Sequence, residues 1–276
     1  MNINDILIPV VTLGGLGLIF GAILAFASSR FAVEKDPRVD EVREALPGAN
    51  CGACGYPGCD GLAAAIVAGK APVNACTVGG AASAEKIGAI MGVEAQAGEK
   101  QVARVLCQGD LEAAAQKYKY VGIESCAAAN ALGGGSKACG YGCLGFGDCV
   151  KACPFDAIDI VNGVAIVDEK RCTGCTICVA ACPKGIIQMV PQSKRVVILC
   201  ASLDKGKLVR GYCKVGCIAC NICVRKCPEN AIVLENNLAH IVYDKCTNCA
   251  ECVDKCPAST IKNYDGVCEE RETAAL

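Results

Sequence analysis

The sequence predicts an α+β protein: one apolar helix at the N terminus, a small and mostly helical domain, then two tandem copies of a module built from short strands. Three observations predict it. Residues 6–27 carry no charge, helix-like stretches flank a first group of cysteines, and residues 143–187 and 217–261 repeat one arrangement of cysteine runs and strand pairs. The chain has 25 cysteines in 276 residues and a single histidine, His240.

The first element is "ILIPVVTLGGLGLIFGAILAFA", residues 6–27, 22 residues long. As a helix it would reach roughly 33 Å, enough for a bilayer core of about 30 Å. A cleaved signal peptide needs a positive leader, and "MNIND" has none. Arg30, Lys35, Arg38 and Arg43 follow the span. Residues 1–30 are therefore expected to be a single-pass transmembrane anchor in the cell membrane. It would meet the lipid bilayer through residues 6–27, with the N terminus outside and the rest cytoplasmic. Gly17, Gly21 and Ala25 recur every four residues, a spacing that suits a partner helix.

Residues 31–92 are expected to form a helical domain around "CGACGYPGC". Cys51, Cys54, Cys59 and Cys76 are spaced C-x2-C-x4-C-x16-C. Disulfide-dense scaffolds are mostly small secreted domains, and this chain is long enough for two or more domains. Structural zinc uses Cys and His as separated pairs; here the later cysteines come in runs that end in Cys-Pro. That is the signature of paired iron–sulfur clusters, in which the Cys-Pro cysteine ligates the other cluster. Thiolates suit such clusters. The first four cysteines are read as one [4Fe–4S] site, its glycines letting the backbone turn and aim N–H groups at sulfur.

Residues 93–138 are expected to be a connecting segment. A first two-cluster, ferredoxin-like module spans 139–195, a second spans 196–268, and 269–276 is a polar tail. In the second module Cys217, Cys220, Cys223 and Cys256 would hold one [4Fe–4S] cluster, and Cys246, Cys249, Cys252 and Cys227 the other. In the first, Cys172, Cys175, Cys178 and Cys153 complete one set. The other has Cys143, Cys149 and Cys182, but Phe146 stands where a cysteine is expected. Cys139, four residues upstream of Cys143, is the expected substitute. A three-iron or labile cluster, or a ligand from farther away, is the alternative.

Cys107, Cys126, Cys200, Cys213 and Cys268 are left over. "RVLCQGD" near Cys107 echoes "RVVILCASLD" near Cys200, and "CGYGC" at 139–143 echoes "CKVGC" at 213–217. The repeat thus extends upstream of both modules. Cys107, Cys126, Cys200 and Cys213 can be counted as a sixth set; the plainer reading is buried, inert cysteines. The expectation is five [4Fe–4S] clusters, or six with that set. Cys268 is expected to be free, and His240 to be structural.

Net charge is −1 and Trp is absent, so a broad nucleic-acid-binding face is not implied and no nucleic-acid partner is expected. No G-x-G-x-x-G follows a strand, and one histidine leaves no Ser–His–Asp arrangement. No catalytic residue is expected. The chain would move electrons.

An N-terminal anchor, then "ALPGANCGACGYPGCDGLAAAIVAGKAPVNAC", then ferredoxin repeats with "GGGSKACGYGCLGFGDCVKACPFDAI", resembles the B subunit of the Rnf complex over nearly the whole chain. The resemblance implies an electron-transfer component of a membrane-bound ferredoxin:NAD+ oxidoreductase that couples to Na+ or H+ translocation. It implies reduced ferredoxin as donor, and flavin- and NAD-binding, ion-translocating subunits as partners. A non-pumping relay to another acceptor, such as a redox regulator or nitrogenase, is the alternative. A cluster-based sensor would need an output domain, and the sequence offers none.

Overall fold

The computed structural model of the chain describes residues 3–30, 36–95 and 98–264. Cys268 and the polar tail lie outside the described residues. The first helix, α1 (Ile3–Arg30), extends beyond the uncharged run at both ends. Its stretch Val10–Ser28 has a mean hydropathy of 2.3 and is 0% buried. Leu13, Leu18, Phe20, Leu24 and Phe26 are all exposed. A helix in water hides an apolar stripe. This one offers apolar side chains all round, and it is long and apolar enough to cross a membrane.

The small domain is built from α2 (Arg38–Ala45), α3 (Gly58–Val67) and α4 (Gly80–Met91). Val42, Leu62, Ile66 and Ile87 form its core. Gly92 ends α4 with φ 68°, a left-handed cap that costs glycine no Cβ clash. Ser83 Oγ donates to Ala45 O at 2.9 Å and ties α4 to the end of α2. The loop from Cys51 to Cys59 runs between α2 and α3, so three helices hold its base.

From residue 98 the chain alternates short strands with very short helices. The order is β1 (Gln101–Val105), α5 (Cys126–Ala131), α6 (Asp148–Lys151), β2 (Ile158–Val161), β3 (Val164–Val167), α7 (Ile177–Ala181) and β4 (Ile187–Pro191). The second set is β5 (Val196–Ile198), α8 (Gly206–Tyr212), α9 (Ile222–Lys226), β6 (Ile232–Glu235), β7 (Leu238–Ile241), α10 (Glu251–Asp254) and β8 (Ile261–Asn263).

The pairings repeat. The β2–β3 hairpin turns at Asn162-Gly163 and the β6–β7 hairpin at Asn236-Asn237, every turn residue having positive φ. Such primed turns match the twist of the strands they join. β1 pairs antiparallel with β4, Val102 opposite Val190, and β5 with β8, Val197 opposite Lys262. Each module therefore closes on a strand that precedes its first cysteine run. The first of these, β1, comes from the segment expected to be a connector. His240 sits exposed on β7 opposite Val233.

The two modules meet at a buried charge. Arg104 on β1 has 0% exposure, and its guanidinium carbon lies 3.6 Å from the centre of the Tyr264 ring, just after β8. Its Nη1 is 2.6 Å from Glu169 Oε1, and Arg195, just before β5, reaches Glu169 Oε2 at 2.7 Å. The Arg104 contact is an ion pair without a directed hydrogen bond. One carboxylate thus serves Arg104 on β1 and Arg195 at the junction leading into β5. Removing one partner of a buried pair leaves the other uncompensated. Glu169→Ala is expected to cost about 3–5 kcal/mol, read from anaerobic urea unfolding of the full chain in detergent. A loss no larger than an exposed ion pair's, below about 1 kcal/mol, would remove the seam from the account of stability.

Candidate metal centres

Four loops share one backbone device. The middle position of each cysteine run is flanked by two residues with positive φ: Gly174 and Thr176 around Cys175, Ala219 and Asn221 around Cys220, Asn248 and Ala250 around Cys249, and Gly145 and Gly147 around Phe146. The third cysteine of each run, Cys178, Cys223, Cys252 or Cys149, then lies on a single-turn helix: α7, α9, α10 or α6. Two left-handed residues curl the loop so that its side chains face inward. Gly145 also needs to lack a side chain: a Cβ there would stand 2.6 Å from Gly163 O.

The 24 described cysteines divide into six sets of four with none left over. Cys51, Cys54, Cys59 and Cys76 line one cavity under α3. Cys153, Cys172, Cys175 and Cys178 line a second; Cys217, Cys220, Cys223 and Cys256 a third; Cys227, Cys246, Cys249 and Cys252 a fourth. Each cavity brings together four cysteines that the spacing also groups. The cavities enclose 300 to 400 Å³, open solvent included. Among the described residues no three Cys, His, Asp or Glu side chains are close enough to share one ion. The thiols are instead spread around the walls of these cavities. Three of the four Cys-Pro cysteines accept a backbone N–H bond from four residues on: Ala157 to Cys153 at 3.5 Å, Ala231 to Cys227 at 3.3 Å and Thr260 to Cys256 at 3.3 Å. Such bonds to sulfur tune a cluster's potential.

The remaining two sets differ from expectation by one exchange. Cys139 does not join Cys143, Cys149 and Cys182. Cys126, at the start of α5, does. Burial pushes the Cys149 thiol up to about 12, and Cys143, Cys126 and Cys182 press it further in the same direction. Asp148 at the head of α6 brings Cys126 in: its Oδ2 accepts Ala127 N at 2.9 Å and the Ser125 hydroxyl at 2.9 Å. Burial works to raise that carboxyl, but these bonds outweigh it and hold it below the usual carboxylate range. Phe146 turns to Tyr120 instead, ring centres 5.0 Å apart. Asp148→Ala is expected to cost about 1 kcal/mol, as loss of a capping group does, and to make the iron of this set the first to leave. Timed release of iron to a chelator under argon checks it; release at the parent rate would detach Asp148 from the site.

Cys139 lines the fifth cavity instead, with Cys107, Cys200 and Cys213, about 400 Å³ in volume. A Cβ added at Gly109 would lie 3.4 Å from Cys213 Sγ and 3.8 Å from Cys107 Sγ; one at Gly142, 3.7 Å from Cys139 Sγ and 3.8 Å from Cys107 Sγ. The sulfurs thus converge on two glycines. This set is assembled two and two. Cys107 follows β1 and Cys139 precedes the first module's cysteine run; Cys200 follows β5 and Cys213 precedes the second module's run. Segment 113–117 ties the halves, Ala115 N donating to Tyr212 O and Ala138 N to Ala115 O, both at 2.8 Å. The echo of "CGYGC" in "CKVGC" already gives Cys139 and Cys213 the same role. That signal, applied strictly, leaves Cys126 for the Phe146 site.

Neighbouring sets adjoin in pairs: Cys51 lies near Cys175, and Cys178 near Cys149. Cys143 N donates to Cys107 Sγ at 3.4 Å. Burial pushes Cys200 up to about 12, with Cys217 and Cys107 both adjacent to it. Cys223 presses on Cys252. Buried neutral thiols give up protons when iron binds.

Comparison with known families gives two matches. The FeS family, an Fe-S cluster domain, matches residues 46–78, and the 4Fe-4S dicluster domain family matches residues 138–193 and 216–261. The chain is 54% identical over 245 residues to the B subunit of the Na(+)-translocating ferredoxin:NAD(+) oxidoreductase complex of Acetobacterium woodii, covering 88% of this chain and 74% of that one. It is 45% identical to the B subunit of the proton-translocating ferredoxin:NAD(+) oxidoreductase complex of Clostridium ljungdahlii, covering 89% and 87%. It is 44% identical to the B subunit of the ion-translocating oxidoreductase complex of Methanosarcina acetivorans, covering 86% and 90%.

Proposed function

The chain belongs to the family of B subunits of ion-translocating ferredoxin:NAD+ oxidoreductase complexes, and from that premise we propose that it is a linear wire of six [4Fe–4S] sites. It is an iron–sulfur electron-transfer component of such a complex. A bound cluster takes up and releases one electron at a time.

The single observation that carries the wire is the row of six cysteine sets. In order they are Cys51/54/59/76, Cys153/172/175/178, Cys126/143/149/182, Cys107/139/200/213, Cys217/220/223/256 and Cys227/246/249/252. The fourth set joins the modules. Cys249 in the last set is the exposed cysteine among those described, so this end is the docking point for reduced ferredoxin. The first set is closest in sequence to α1, so electrons leave there, toward flavin- and NAD-binding subunits. α1 anchors the chain in the bilayer, its N terminus outside and the cluster domains cytoplasmic. The residues do three jobs: the cysteines hold the clusters, backbone N–H groups set their potentials, and the Arg104–Glu169–Arg195 seam keeps the two modules in register.

Two measurements test this. Anaerobically purified full-length chain is expected to hold roughly 24 irons, four per site. Membrane vesicles lacking the chain are expected to lose NAD+ reduction by reduced ferredoxin and to regain it with the intact chain. Unchanged activity in its absence would leave an anchored carrier with a different acceptor.

A further inference from the structure

Lys137 is 2% exposed. Its Nζ donates to Gly109 O at 2.7 Å and to Gly163 O at 3.1 Å. Among the described residues no carboxylate lies within ion-pair distance of it. A buried charge without a counter-charge is costly, so an ammonium kept in this position implies an anion nearby. The side chain lines the cavity of Cys107, Cys139, Cys200 and Cys213. The cavities of the Cys51, Cys153, Cys217 and Cys227 sets have no lysine or arginine in their walls. Four thiolates around a cluster supply the missing negative charge.

We propose that Lys137 sets the reduction potential of the cluster that bridges the two modules, holding it above that of its neighbours so that an electron rests there between them. The proposal rests on the six-site reading. Its physics is simple. The reduced cluster carries one more negative charge than the oxidised one. A fixed positive charge in a medium of low dielectric favours the reduced form. The step is a one-electron exchange: the neighbouring cluster is oxidised as the bridging one is reduced, and no bond or proton moves. Lys184 faces the bridging set and the Cys143 set from a more exposed position, bonding Gly134 O and Gly140 O. Tyr212, which also lines the cavity, donates to Asp204 at 2.8 Å.

The test is a redox titration of the full chain in detergent, followed by electron paramagnetic resonance, with iron counted in each sample. Lys137→Gln keeps an N–H donor for the two carbonyls and loses the charge; Lys137→Met loses both; Lys137→Arg keeps the charge. The expected result is one midpoint moved to lower potential in the Gln and Met variants, unmoved in Arg, with full iron in all. Full iron with unmoved midpoints in Lys137→Gln would overturn the proposal. So would loss of iron from that variant, which would make the lysine a prop for the fold. Cys107→Ala separates the two readings. If it keeps all its iron, there is no bridging cluster and the six-site reading falls first.

Discussion

Replacing Cys213 by alanine is expected to cut the wire in its middle while leaving both ends able to take up electrons. Cys213 lines the cavity shared by the two repeats and belongs to neither module's own pair of sites. Its loss leaves three thiols where four are needed. The full-length variant is expected to lose about four of roughly 24 irons. The other five sets keep their ligands, so dithionite should still reduce them. Ferredoxin-dependent NAD+ reduction in vesicles is expected to fall to background, because in the proposed order the bridging set lies between the Cys143 set and the Cys217 set. Lost iron with retained turnover would show that electrons bypass the bridge, and the linear order would be wrong. Retained iron would remove Cys213 from the ligands.

The second large effect is a loss and a rescue. Cys126→Ala is expected to empty the Cys143 set, again by about four irons, and to stop turnover. Adding Phe146→Cys is expected to restore both. The loop supports this expectation: Gly145 and Gly147 have φ 78° and 77°, the same flanking geometry that surrounds Cys175, Cys220 and Cys249. The loop keeps the shape for a cysteine while the thiol comes from α5. The double variant also loses the Tyr120–Phe146 ring contact, worth about 0.5–1.5 kcal/mol, which is small beside a recovered metal site. No iron in the double variant would mean that loop shape alone does not place a ligand. Phe146→Cys with Cys139→Ala is the control. It should still lack the bridging cluster, because Cys139 belongs to that one.

Much of the chain was legible before any coordinates. Three of the six cysteine sets follow from C-x2-C-x2-C spacing, which puts three thiols on one curled loop while the Cys-Pro cysteine crosses to the neighbouring site, and the Cys51 set follows from its own C-x2-C-x4-C-x16-C run. The helix at the N terminus follows from an uncharged run. The first hairpin follows from "VNGV" at 161–164, whose Asn-Gly turn tolerates positive φ. What spacing could not assign was the pair of sets built from distant segments. Cys139 stands four residues from Cys143, and nearness in sequence made it the expected substitute. In the fold its side chain belongs with Cys107, Cys200 and Cys213, while Cys126, held by Asp148, reaches the Phe146 site from farther away. β1 was hidden for the same reason: its partner β4 lies more than 80 residues on.

The sequence by itself determined the chemistry of this protein. Thiolates in Cys-Pro runs select iron–sulfur clusters, and an apolar run of bilayer length gives a helix long and apolar enough to cross a membrane. These are local properties of a chain. Only the tertiary structure decided which cysteines share a cavity across the two repeats, how Arg104 and Glu169 join the modules, and that Lys137 lies buried beside the bridging set. Each of those depends on which surfaces are excluded from water together, and burial is a property of the packed whole.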